Sequence, residues 1–105
     1  MANIYLAVYL VKLSSPWVKS LKEKRSLILP VVEKLKSRFP VSVARLDGLN
    51  RHDWEMIGLS AISHDRVWLE GMMAKAGEFI RAHSGCEVGE DSLEVELWGD
   101  SEELL

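Results

Sequence analysis

Apolar residues follow two different periods along this chain, and the switches between them mark out its elements. From Asn3 to Leu13 the step is two, with Ile4, Leu6, Val8 and Leu10 on one side and Tyr5, Ala7, Tyr9 and Val11 on the other. Both sets are apolar, which predicts a central strand over 3–13. Ser14-Ser15-Pro16 breaks it. A period near 3.6 follows: Ile28, Val31, Val32, Leu35 and Phe39 predict a helix over 21–38. Ser20 and Glu23 stand at capping-box spacing at its start. Pro30 lies inside it and brings no N–H for the carbonyl of Ser26, so a bend is expected.

Pro40 closes that helix, and VSVARL predicts a second strand over 41–46. Asp47-Gly48 opens a polar hairpin loop, and WEMIGLSAI predicts a third strand over 54–62. Gly58 in its middle signals a bulge or a close backbone approach. Ser63 and Asp65 offer caps for a helix over 64–83, whose stripe is Leu69, Met72, Met73, Ala76, Phe79 and Ile80. A Met-rich stripe of this kind reads as core. Over 92–98, Leu93, Val95 and Leu97 alternate with Glu94, Glu96 and Trp98 as a last strand, and the acidic tail from Gly99 is expected to fray. The order βαββαβ predicts an α+β, ferredoxin-like fold: a four-stranded antiparallel sheet with two helices on one face and the other face open.

A chain of 105 residues fits one domain, 1–105, able to bury a core without staples. No apolar run approaches the roughly 18 residues of a membrane span. The N-terminal MANIYLAVYLVKL lacks a basic n-region and reads as strand. Cys86 is the single cysteine, which excludes an internal disulfide and a cysteine zinc cluster. A cytoplasmic address is the expectation. The net charge of −3 hides an asymmetry. Residues 1–54 hold ten Lys/Arg against four Asp/Glu, whereas residues 55–105 hold three against twelve. Such a split suggests separate basic and acidic surfaces; the plainer account is one basic outer helix and an acidic tail.

Three pieces of the chain together resemble the YlxP-like family, catalogued as a bacterial domain of unknown function (503). They are SLKEKR at 20–25, Arg38-Phe39 leading into VSVA at 41–44, and the Gly58 strand followed by Ser63-His64-Asp65-Arg66. The resemblance implies a ferredoxin-like fold and no established activity. Members often lie in gene clusters with transcription, translation-initiation and ribosome-maturation factors, which implies an RNA or ribosomal role by association only. The chain departs from the family in the hairpin, where Asn50, Arg51, His52, Asp53 and Trp54 are displaced toward the strand, and at Pro30.

The candidate chemistry is concentrated in SLKEKR. A helix start offers free N–H groups and a positive dipole end, a natural anion site. Cations there oppose the dipole, by about 0.3–1 kcal/mol each at most, so a bound phosphate would offset them. Lys19, Lys22, Lys24 and Arg25 surround that end, and Lys34, Lys36 and Arg38 extend the charge along the helix. A solvated basic helix, partly paired through Glu23 and Glu33, is the plainer account. If the even residues of the first strand face the helices, Tyr5, Tyr9, Val11 and Trp98 lie on the open face and would anchor a homodimer. Strand three and Glu94 and Glu96 argue against RNA stacking there. His52, Asp53 and Asp47 form only a weak candidate for metal or acid–base chemistry. Cys86 has no nearby base and sits beside Glu87, which raises a thiol pKa. The loop LSSPWVKS lacks the glycine and arginine with which acylphosphatase-like proteins hold phosphate.

No catalytic residue, metal or cofactor is therefore assigned. The expected role is a non-enzymatic binding module contacting RNA phosphates or a ribosomal particle through its basic first helix. A homo-oligomeric unit using the open sheet face is the alternative, and a small phosphate-ester enzyme the least favoured.

Overall fold

The structure, a computed structural model, describes residues 2–104, with side chains described for residues 2–102. Its elements are β1 (Asn3–Ser14), α1 (Leu21–Arg38), β2 (Ser42–Asp47), β3 (Trp54–Ser63), α2 (Arg66–His83), β4 (Glu87–Asp100) and a short 3-10 turn (Ser101–Leu104). The strands form one antiparallel sheet in the order β2-β3-β1-β4. With two helices added in this order, the fold is ferredoxin-like, and β1 is central as its two apolar faces predicted.

Register decides which face each side chain takes. Val8 opposes Ser60 and Leu10 opposes Gly58, while Tyr9 opposes Leu59 and Val11 opposes Ile57. Ala7, Tyr9, Val11 and Leu13 are buried under the helices with Ile57 and Leu59. The odd residues of β1, and not the even ones, thus face the core. Tyr9 and Val11 are removed from the open face, and Tyr5 is partly buried against the same core. The open face carries Leu6, Val8 and Leu10 instead.

α1 buries Ile28, Val31, Val32 and Leu35, each worth roughly 1.5–3 kcal/mol of transfer free energy. It packs against β2, and α2 packs against β1, β3 and β4. Pro30 does not divide α1, which runs unbroken through it; the residue is exposed and offers no N–H to the carbonyl of Ser26. Gly58 is a close approach: a Cβ there would lie 2.6 Å from Leu46 Cδ1 and 3.1 Å from Leu10 Cδ2. Gly48, at φ +73°, turns the β2–β3 loop under Trp54.

β4 is longer than the expected 92–98 at both ends, because Leu13 and Ser14 continue to pair with Val88 and Glu87. Its far end is also tied down. Asn3 opposes Asp100, and Ser101 donates its N–H to the carbonyl of Ala2 at 2.9 Å. Gly99 and Asp100 thus continue the strand, and Ser101–Leu104 form the turn; Leu105 lies outside the described residues.

Candidate functional site

α1 begins on a stiff corner. The N–H of Ser15 donates to the carbonyl of Asp53 at 2.7 Å, and that of Val18 to the carbonyl of Ser15 at 3.0 Å, closing a turn with Pro16 at its second position. The Ser20 hydroxyl accepts from the Glu23 N–H at 3.1 Å, and the Glu23 carboxylate accepts from the Lys19 N–H at 3.5 Å. Ser15, Val18 and Lys19 thus spend their amides within the protein, unlike a phosphate-cradling loop. The amides of Leu21 and Lys22 bond to no described residue. They face outward at the positive end of the helix dipole.

Lys24 does not join them. It falls on the buried stripe with Ile28, Val31 and Leu35 and is fully buried. Its ammonium lies 3.0 Å from Glu55 Oε1 and donates to the carbonyls of Gly48 at 2.7 Å and Trp54 at 3.3 Å. Glu55 is fully buried too, and accepts two bonds from Arg45, at 2.6 and 2.7 Å. Burial alone would raise the Glu55 carboxyl, but the bonds from Arg45 and then Lys24 outweigh it and hold its pKa below the ordinary value. Lys24 is therefore a structural strut between α1 and the β2–β3 hairpin, out of reach of any external anion.

The remaining cations divide between two flanks of α1. The Arg38 guanidinium lies 5.0 Å from the centre of the Phe79 ring, which turns its flank toward α2. Lys34, one turn earlier, shares that flank. Lys22, Arg25, Leu29 and Lys36 recur at helical spacing on the opposite flank, toward the β2 edge. Lys36 pairs loosely with Glu33 at 3.7 Å. Among the described residues, Lys19, Lys22, Arg25, Lys34 and Arg38 form no ion pair.

The open face carries an apolar field in place of the expected tyrosines. Val8, Leu46 and Ile62 are exposed there, Ile62 by 71%. Val8 and Leu46 line a depression of about 190 Å³ together with Leu10, Ala44 and Gly58. Trp98 shares the parity of Glu94 and Glu96 and remains 70% exposed at the β4 margin. Glu94 and Glu96 make that margin acidic.

The other candidates resolve into structure. Arg51 holds Asp53 through two 3.0 Å bonds, and the carbonyl of His52 accepts from the Ser15 hydroxyl. No cluster of three metal-ligating side chains occurs among the described residues. Burial, followed by the charge of Glu55 rather than Glu87, pushes the Cys86 thiol up. Tyr9 donates to Asp91 at 2.7 Å, beside Arg81, and burial with that bond pushes it up to about 12. Among the described residues, no helix is long and apolar enough to cross a membrane.

Sequence reasoning missed one feature between the helices. Phe39, Trp68, Gly71, Met72 and Lys75 line a pocket of about 210 Å³. Phe39 meets Phe79 edge-on at 5.8 Å, and Phe79 lies tilted against His83 with ring centres 4.5 Å apart. Trp68, Gly71 and Lys75 recur at helical spacing beside the buried stripe, a signal the stripe itself overshadowed.

These features define a ferredoxin-like α+β protein with a basic first helix and an uncovered sheet face. The chain belongs to the family described as protein of unknown function (DUF503), whose model matches residues 6–91. No curated protein matches it. Among solved structures, the de novo designed protein Foldit4 aligns with a TM-score of 0.50 at 15% identity, over 87% of this chain and 96% of that one. A chain described as a chlorite dismutase also gives 0.50 at 15% identity, over 90% of this chain but only 43% of its own. A dimeric ferredoxin-like protein from an uncultured marine organism gives 0.45 at 15% identity, over 93% and 99%. At such identity the likeness is one of fold alone.

Proposed function

We propose that this protein is a non-enzymatic module that binds RNA phosphates, on a free transcript or a ribosomal particle, through α1. The observation that carries this reading is the head of the helix. Lys19, Lys22 and Arg25 stand there without carboxylate partners among the described residues, around two unbonded amides. Cations at the positive end of a helix dipole are unfavourable, and with Glu23 the one acid in that turn they leave room for a further negative group to join them. Lys34, Lys36 and Arg38 supply further charge along the helix. Contacts of this kind are sequence-independent and weaken steeply with salt.

The test is charge reversal. Lys22→Glu with Arg25→Glu removes RNA binding at low salt and leaves the melting temperature nearly unchanged, since both side chains are exposed. Undiminished binding by the double variant would remove α1 from the reading. Lys24 is unsuitable for this test because its substitution damages the fold.

A second surface serves protein rather than RNA. The exposed Val8, Leu46, Ile62 and Trp98 favour burial of the open face against another copy of the chain. Trp98 alone remains of the four anchors expected for that contact.

A further inference from the structure

Gly71 occupies the middle of α2, where glycine is a poor helix former. A Cβ built there would meet nothing within 4 Å, so no contact within the molecule requires its absence. The residue is exposed and lines the pocket beside α2 together with Phe39, the half-exposed Trp68, Met72 and Lys75. Arg38 lies close by, over the Phe79 ring that Phe39 touches edge-on. The lining contains no acid. An exposed glycine opening an aromatic slot beside cations fits a flat ring that carries a negative group.

We propose that this pocket takes one unpaired base of single-stranded RNA, stacked on Trp68, with its phosphate held by Lys75 and Arg38. The inference rests on the reading of α1 as an RNA-binding helix and extends it. Lys34 and Arg38 turn to α2, away from Lys22 and Arg25, so it is this second flank of α1 that would lead a strand into the groove between the helices. A base has a π-face whatever its identity, so the slot selects unpaired strands without reading sequence. Base-paired RNA keeps its bases stacked and contacts only the cations.

Variants at Trp68 and Gly71 test this, with a single-stranded RNA 12-mer and its duplex as the main probes at low salt. Trp68→Ala weakens single-strand binding about tenfold and leaves duplex binding unchanged. Trp68→Phe keeps most of the affinity. Gly71→Leu fills the slot, weakens single-strand binding to the same extent and raises the melting temperature, because leucine is the better helix former. The opposite movement of stability and binding separates loss of a site from loss of fold. If Trp68→Ala and Gly71→Leu bind the single strand as the parent does, while Lys22→Glu with Arg25→Glu does not, the slot is refuted and the α1 reading stands. If the parent binds neither probe, both fall. If Gly71→Leu instead lowers the mass of the protein in solution, the slot seats a second copy and the RNA assignment is wrong. Equal capture of adenosine monophosphate, with no gain from the 12-mer, would likewise overturn it in favour of a free nucleotide.

Discussion

Lys24, Glu55 and Arg45 bring two cations and one anion to the junction of α1 with the β2–β3 hairpin, and two of the three side chains are fully buried. Buried charges persist only when paired and hydrogen-bonded, and here the carbonyls of Gly48 and Trp54 complete the shell of Lys24. Glu55 holds both cations, so its loss is the graver. Glu55→Ala is expected to cost about 3–5 kcal/mol, read from urea midpoints. Lys24→Met costs less, because Arg45 still satisfies the carboxylate. The linkage has a definite sign. A depressed folded pKa gives stability that is complete above the unfolded value near 4.5 and is lost as pH falls through the folded value. The acid limb of stability against pH should therefore be shallower in Glu55→Gln than in the parent. Equal acid limbs would show that other carboxylates dominate. Both partners were visible in the sequence. Lys24 lies four residues before Ile28, on the apolar stripe, and Glu55 shares the inward face of β3 with Ile57 and Leu59. A lysine among four charges reads as solvated unless the period is followed through it.

The two helices were legible because two signals, cap and period, agreed at each. Ser20 and Glu23 cap α1 where the 3.6-residue period begins, and Asp65 caps α2 through the N–H of Trp68. The facing of β1 was not legible. Ile4, Leu6 and Val8 are as apolar as Ala7, Tyr9 and Val11, so alternation alone cannot choose the inner side. The answer lies in the partner strands. Ile57 and Leu59 are the buried positions of β3, and register sets them against Val11 and Tyr9. Pro30 is the element-level anomaly, since α1 accommodates it without a break. Its missing N–H deprives the Ser26 carbonyl of its helical partner, while its ring restricts the unfolded chain. The first effect is the larger in a helix interior, so Pro30→Ala should stabilise the protein by about 1–2 kcal/mol, seen as a higher melting temperature. A fall in melting temperature would mean that α1 requires the local geometry proline imposes.

At the scale of the molecule, charge and apolar surface are kept apart. The basic flank of α1 lies along the β2 edge, and β4 at the other edge carries Glu87, Glu90, Glu94 and Glu96. Acids on a long edge strand oppose pairing with another edge. The open face between these edges offers Val8, Leu46 and Ile62 to a partner. The two proposed surfaces must then respond to salt in opposite ways. RNA binding through α1 releases counterions and falls as salt rises. Burial of the apolar face is indifferent to moderate salt, or gains from the screening of Glu94 and Glu96 across the contact. Light-scattering mass at rising salt should show association held or strengthened while RNA affinity falls. Ile62→Glu should give a monomer that still binds RNA, because Ile62 lies on the face opposite the helices. An Ile62→Glu protein that stays associated would clear the open face of any role in assembly. One that dissociates and also loses RNA would mean that α1 binds only when two copies present it together.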